Sequence, residues 1–173
     1  MARNIEIKAR IESVEALAPR AAAIADQGPV EIGQDDTFFG CDGGRLKLRT
    51  LAPDRGELIY YERPDQAGPK ESFYVISRTA EPDTLRETLT LACGQIGRVR
   101  KRRTLYMVGR TRVHLDRVEG LGDFLELEVV LEEGESPQSG VAEAHRIMEQ
   151  LGVEGAQLIE GAYIDLLSQR CRE

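Results

Sequence analysis

Arg112-Val113-His114-Leu115-Asp116, followed after the turn Gly120-Leu121-Gly122 by Phe124-Leu125-Glu126-Leu127-Glu128-Val129, is the stretch that decides the architecture. Val113 and Leu115, then Leu125, Leu127 and Val129, fall on one side of the chain. Arg112, His114 and Asp116, then Glu126 and Glu128, fall on the other. A period of two marks a β-strand whose faces meet different surroundings, and here one face is aliphatic while the other is almost wholly ionised. Water-facing strands usually carry mixed polar residues, so sorting this sharp calls for a reason.

The same sorting recurs upstream. Ile5, Ile7 and Ala9 alternate with Glu6, Lys8 and Arg10; Leu46 and Leu48 alternate with Arg45, Lys47 and Arg49; Lys101 and Arg103 share one parity of the run Arg98-Val99-Arg100-Lys101-Arg102-Arg103. Two layouts fit this pattern. In an open sheet the charges are solvated and joined by weak ion pairs. In a closed sheet they converge on an interior, and the aliphatic set faces outward, where helices cover it. Repetition over four or more strands favours closure, because an open sheet would leave its aliphatic face to be covered by only four helices.

Eight strand signals and four helical ones are legible. Strands are predicted at the N-terminus through Arg10, and over Gln34 to Phe39, Arg45 to Arg49, Glu57 to Arg63, Ser72 to Ser77, Val99 to Val108, Arg110 to Val118 and Phe124 to Leu131. Helices are predicted over Val14 to Gln27, stopped by Gly28-Pro29, and over Pro82 to Gln95, Val141 to Leu151 and Gln157 to Arg170. With no internal repeat and no long linker, residues 1–173 read as one α+β domain, an eight-stranded antiparallel β-barrel with flanking α-helices.

The predicted inner face holds eight Lys or Arg against four Asp or Glu, an excess of +4 inside a chain of net charge −7. Such an inversion points to an anion site. Glu6, Glu126, Glu128 and Asp116 add hard oxygen donors of the kind taken by Mg²⁺ or Mn²⁺ alongside substrate phosphates. The overall acidity argues against a duplex nucleic-acid binder. Half of the basic run around Lys101 falls on the inner parity and half on the outer, so it needs no nucleic acid to explain it. Cys41, Cys93 and Cys171 are odd in number and lack metal-ligand spacing, which fits packing residues in a reducing cytoplasm. No apolar run approaches the roughly 18 residues of a membrane span. A lone strand histidine such as His114 is read as structural, and Tyr60, Tyr61, Phe38 and Phe39 as packing.

Taken in order, these segments resemble the CYTH superfamily, also called triphosphate tunnel metalloenzymes. Asn4-Ile5-Glu6-Ile7-Lys8 stands where the family has Glu-x-Glu-x-Lys. Gln34 to Phe39, Arg45 to Arg49, the pair Lys101 and Arg103, and His114 through Glu128 match later motifs, as does Tyr163-Ile164-Asp165-Leu166-Leu167. The resemblance implies a barrel open as a tunnel. It places Glu6, Asp116, Glu126 and Glu128 at an Mg²⁺ or Mn²⁺ ion, and Lys8, Arg10, Arg45, Lys47, Arg49, Arg63, Lys101, Arg103 and Arg112 around a triphosphate. Glu6, Lys8, Lys101, Glu126 and Glu128 would carry the chemistry. Two departures stand out: Asn4 replaces an acid, and Tyr61-Glu62-Arg63-Pro64 offers Arg63 where a lysine is common.

By the same resemblance the expected function is that of a class IV adenylyl cyclase, with hydrolysis of inorganic, thiamine or nucleoside triphosphate as an alternative and binding without turnover as another. The expected partner is a small-molecule triphosphate, with neither nucleic acid nor membrane, in a cytoplasmic monomer or homodimer.

Overall fold

In the computed structural model, which describes residues 2–172, eight strands close into an antiparallel barrel. They are β1 (Ala2–Arg10), β2 (Gln27–Phe39), β3 (Arg45–Ala52), β4 (Arg55–Glu62), β5 (Lys70–Thr79), β6 (Gln95–Val108), β7 (Thr111–Val118) and β8 (Gly122–Val130). Their order around the barrel is β1-β5-β4-β3-β2-β6-β7-β8, and β8 pairs back onto β1 with Glu6 opposite Glu128 and Lys8 opposite Glu126. Closure removes the free sheet edge and turns the alternating charges inward, as the sequence predicts.

The aliphatic parity packs outward under helices. α1 (Val14–Ile24) and α3 (Pro137–Leu151) lie over β1, β7 and β8, where Ile7, Leu115, Leu125, Leu127, Ile147 and Leu151 are essentially fully buried. Each such side chain stabilises the fold by about 1.5–3 kcal/mol relative to exposure. α1 starts where Ser13 Oγ accepts from Ala16 N at 3.0 Å and Asp123 Oδ2 accepts from Val14 N at 2.7 Å, meeting two of the free amides at a helix start. α3 approaches β1 closely at Gly140, where a Cβ would stand 2.6 Å from Ile5 Cγ1.

Several predicted boundaries differ, among them that β6 begins at Gln95 and α1 ends at Ile24. β2 begins at Gln27, so Gly28-Pro29 lies inside a strand; the register with β6 shifts between Gln27 and Val30, where Pro29 has no N–H to give to the ladder. α3 begins at Pro137, capped by Ser136, four residues before the expected start. The predicted last helix is divided: a short 3₁₀ turn spans Gly155–Gln157, an extended stretch follows, and α4 covers only Tyr163–Arg170. Ile159 N donates to Lys8 O at 3.0 Å, and the Asp165 side chain accepts from Ala162 N at 2.8 Å, which fixes where α4 starts.

α4 closes one end of the barrel. Ala162, Tyr163 and Ile164 pack with Phe38, Val99, Val118, Leu121 and Phe124 in one buried cluster. α4 thus covers one end of the barrel, and Ala162 and Tyr163 line the interior there. α2 (Pro82–Cys93) lies outside β2, β3 and β4 and buries only Pro82 fully. Cys41, Cys93 and Cys171 are exposed rather than packed, because they fall in a turn and at the solvent-facing ends of α2 and α4. No helix among the described residues is long and apolar enough to cross a membrane.

Candidate functional site

Alternate residues of the strands enclose a cavity of about 350 Å³. Lys8 from β1, Lys47 and Arg49 from β3, Lys101 and Arg103 from β6, Arg112 from β7 and Arg63 from beyond β4 all line it, as do Glu6, Glu126 and Glu128. These are the residues the sequence places at the site, together in one space. Arg63 reaches in from the loop after β4, with Nη1 donating to Glu6 Oε1 at 3.1 Å and Nη2 to Gly161 O at 2.8 Å. Asn4, at the position where the resemblance has an acid, is buried and lines the cavity, and its Oδ1 has no hydrogen-bond partner.

Three expected site residues lie outside this space. Arg10 has the inner parity but sits at the closed end, its guanidinium 4.9 Å from the Phe124 ring centroid, exposed to solvent. Arg45 is held at the same end by a bidentate pair with Asp165 of α4, at 3.1 and 2.7 Å; it secures the plug. Asp116, expected at the metal, is fully buried below the cavity. Its oxygens accept from Arg103 Nε and Nη2 at 2.7 Å each and from Tyr163 Oη at 2.9 Å, so it positions Arg103, and it is not among the residues that line the cavity.

Residues the sequence reading did not assign also line the cavity. Asp36 accepts both Arg49 hydrogen bonds, at 2.9 and 2.8 Å, and faces Lys47 Nζ at 3.3 Å. Asp35 and Asp36 are adjacent, and only pairing to β3 and β6 decides which of them turns inward. Asp35 turns outward and binds Arg98 and Arg100. The signal was the alternation of Gln34, Asp36 and Phe38. With Asp36 and Glu57 included, the lining holds seven Lys or Arg against five Asp or Glu, so the local excess is +2 rather than the +4 counted from sequence, and it is still opposite in sign to the whole chain.

Burial sets the protonation of these groups. Lys8 is lowered to about 7, chiefly by loss of water, with Glu126 pulling it back up and Arg63 pushing it down. Lys47 is lowered to about 8 by burial, against the pull of Asp36, and Lys101 is lowered by burial and by Arg103. Burial acts to raise all three glutamates and does raise Glu6. Glu126 instead lies well below the usual range, because Lys8, Arg103 and Lys101 outweigh burial, and Glu128 is lowered against burial by His114, Arg112 and Arg103. His114 is lowered to about 4 by burial and by Arg103, so its imidazole is neutral near pH 7.

One ring nitrogen of His114 and one oxygen each from Glu126 and Glu128 lie within 4.8 Å of one another. Glu6 is the cross-strand neighbour of Glu128, and Arg63 engages one of its oxygens. The donor set suits a divalent cation. The two cations facing Glu126, Lys8 Nζ and Arg103 Nη2, stand off at 3.6 Å, longer than a charge-assisted hydrogen bond, and His114 Nδ1 is buried without a partner. The cluster thus keeps ligating atoms uncommitted.

The CYTH domain family model matches residues 2–163. Adenylate cyclase CyaB of Aeromonas hydrophila is 28% identical over 174 residues, covering 96% of this chain and 89% of that protein. Among solved structures, the PH1012 protein of Pyrococcus horikoshii OT3 has a TM-score of 0.84 at 24% identity, over 94% of this chain and 98% of that one. HpAC1 of Hippeastrum, an adenylyl cyclase candidate described with a dominant triphosphatase activity, has a TM-score of 0.66 at 16% identity, over 98% and 96%. At those identities the structural likeness speaks for the barrel alone. The family model spans nearly the whole of a sequence folded as a closed eight-stranded barrel around buried cations and glutamates, and the chain belongs to the CYTH domain family.

Proposed function

We propose that this protein is a metal-dependent enzyme acting on a triphosphate-bearing substrate, of the adenylyl cyclase type, converting ATP to cyclic AMP and pyrophosphate. The observation that carries the reading is the convergence of seven cationic side chains and four glutamates, Glu6, Glu57, Glu126 and Glu128, on one cavity of about 350 Å³. Phosphoryl and nucleotidyl transfer ask little covalent chemistry of the protein; they need charge neutralisation and in-line placement of nucleophile and leaving group. The similarity to a CyaB adenylate cyclase over most of both chains supports the cyclase outcome.

In this reading Lys8, Lys47, Arg49, Lys101, Arg103 and Arg112 bind the phosphate oxygens. Asp36 and Asp116 hold Arg49 and Arg103 in place, which fixes the guanidinium planes before substrate arrives and lowers the ordering cost of binding. Glu126 and Glu128, with Glu6 beside them, would hold Mg²⁺ or Mn²⁺, which when bound supplies Lewis-acid stabilisation of charge on the phosphates. For cyclisation, the ribose 3′-hydroxyl gives its proton to solvent and its oxygen bonds to the α-phosphorus as the bond from that phosphorus to the oxygen bridging to the β-phosphate breaks, and pyrophosphate leaves.

The mouth gives a second reading its support. Ile32, Leu105 and Ile76 line the cavity, with Ile76 45% exposed. These three side chains offer a base no hydrogen bonds, and to that extent they favour hydrolysis of a terminal phosphate with little regard for the organic group, whereas Asn4, Gln34 and Ser72 of the same lining are polar. Incubation with ATP, inorganic triphosphate and thiamine triphosphate in Mg²⁺ or Mn²⁺ separates the readings by product. Cyclic AMP with pyrophosphate supports the cyclase, orthophosphate supports the triphosphatase, and tight binding with no product from any of the three refutes both in favour of a binding module. Glu126→Gln is expected to abolish turnover while leaving the fold intact.

A further inference from the structure

His114 is 4% exposed, lines the cavity and has an Nδ1 with no hydrogen-bond partner. Roughly nine in ten buried polar groups find a partner, so an open ring nitrogen facing a charged cavity needs explanation. Its neighbour is Glu128 Oε1 at 3.9 Å. That is too long for a hydrogen bond, yet two ligands on one ion, each bonded at about 2.0–2.2 Å, stand roughly 3–4 Å apart. The other oxygen of Glu128 is taken by Arg112, Nε at 2.8 Å and Nη2 at 2.7 Å, which turns Oε1 toward the histidine. Glu126 pairs across β7 and β8 with His114, and its oxygens are 3.6 Å from the cations that face them. Within this group of donors, His114 contributes the one nitrogen.

We propose that His114 is a direct nitrogen ligand, with Glu126 and Glu128, of the divalent ion in this cavity, and that it shifts the site's preference from Mg²⁺ toward a first-row transition ion such as Mn²⁺ or Co²⁺. Mg²⁺ takes oxygen donors in near-ideal octahedral geometry and keeps much of its water. Affinity for nitrogen and oxygen donors rises along the first row from Mn²⁺ to Cu²⁺ while Mg²⁺ favours oxygen alone, so adding one imidazole to two carboxylates favours transition ions over Mg²⁺, by least for Mn²⁺ and by more for Co²⁺. The inference deepens the proposed function and rests on the cavity being a metal site. It assigns a role to a residue whose position on a strand reads from sequence as merely structural.

The test is Mn²⁺ binding to the full chain without substrate, followed by electron paramagnetic resonance and read by pulsed detection of nitrogen-14 coupling. The chain's other histidine, His145, lies exposed on α3, and His145→Gln serves as control. The wild type and His145→Gln are expected to show nitrogen coupling, and His114→Gln to lose it. His114→Gln should also weaken Mn²⁺ by about tenfold or more while moving Mg²⁺ affinity by less than about threefold, in the range seen when a metal's close support is removed. If His114→Gln does not fold, wild-type protein with nitrogen-15 histidine gives the same reading by the isotope change in the coupling. Mn²⁺ bound in a Glu126-dependent way without nitrogen coupling overturns the histidine ligand and leaves the metal site standing. No binding, or binding indifferent to Glu126→Gln, overturns both.

Discussion

Raising the pH from 7 to 9 in the absence of metal should release inorganic triphosphate from the cavity. Lys8 and Lys47 sit at about 7 and about 8 in the free protein, both lowered by burial, whereas an exposed lysine titrates near 10.4. A bound polyanion favours the ammonium form and raises both values, so affinity is full while the amines are charged and falls as pH rises through their free-state values. Over this window the charged share of Lys8 drops from about one half to about one in a hundred, and that of Lys47 from about nine-tenths to about one-tenth. If binding requires both charges, the combined loss is on the order of several hundred-fold, about 3–4 kcal/mol at 1.36 kcal/mol per tenfold step. Inorganic triphosphate has a terminal phosphate at each end, and ionisation of the second as pH rises adds negative charge to the ligand, so any ligand contribution opposes this loss and cannot produce it. Calorimetric titration with inorganic triphosphate at pH 7, 8 and 9, at fixed ionic strength, reads the effect directly. Lys8→Arg keeps its charge throughout and should reduce the loss to the roughly tenfold due to Lys47. An affinity that changes by less than about threefold between pH 7 and 9 in the wild type refutes the inward, desolvated placement of these lysines.

Asp116→Asn leaves the buried Arg103 guanidinium without its carboxylate and is expected to cost about 3–5 kcal/mol. For a chain of this size that lowers Tm by roughly 10 °C; a shift under 3 °C by scanning calorimetry contradicts the structural role given to that pair. Arg49→Ala should weaken inorganic triphosphate by more than tenfold, whereas Arg45→Ala should change it by less than about threefold, because Asp165 holds Arg45 outside the cavity. Equal effects of the two substitutions on affinity would show that the closed end is misassigned.

Alternation carried most of the fold into view. Ile5, Ile7, Leu125 and Leu127 against Glu6, Lys8, Glu126 and Glu128 state both the strands and their facing, because a strand has only two sides. What alternation cannot state is where along the barrel axis a residue sits. Arg10, Arg45 and Asp116 have the inward parity, and each lies at or below the closed end, where α4 and Phe124 fill the interior. Parity was also silent where two like residues are adjacent: Asp35 binds the outward Arg98 and Arg100, and Asp36 the inward Arg49 and Lys47. The plug was missed because Gly161, in the left-handed region at φ 76°, and the Asp165 cap on Ala162 start the last helix later than apolar spacing suggests. His114 was passed over because its meaning depends on Glu128 Oε1 facing it, which is a matter of cross-strand register and side-chain direction rather than of sequence.

A crystal structure of the wild-type protein with inorganic triphosphate and Mn²⁺ bears most directly on the claim that the barrel interior is a polyphosphate site built around a metal. The account predicts one triphosphate inside the barrel, its oxygens within hydrogen-bond distance of Lys8, Arg49, Lys101 and Arg103, with the ion between it and Glu126 and Glu128. Triphosphate bound on the outer face beside Arg98 and Arg100, with the interior filled by water alone, would contradict it.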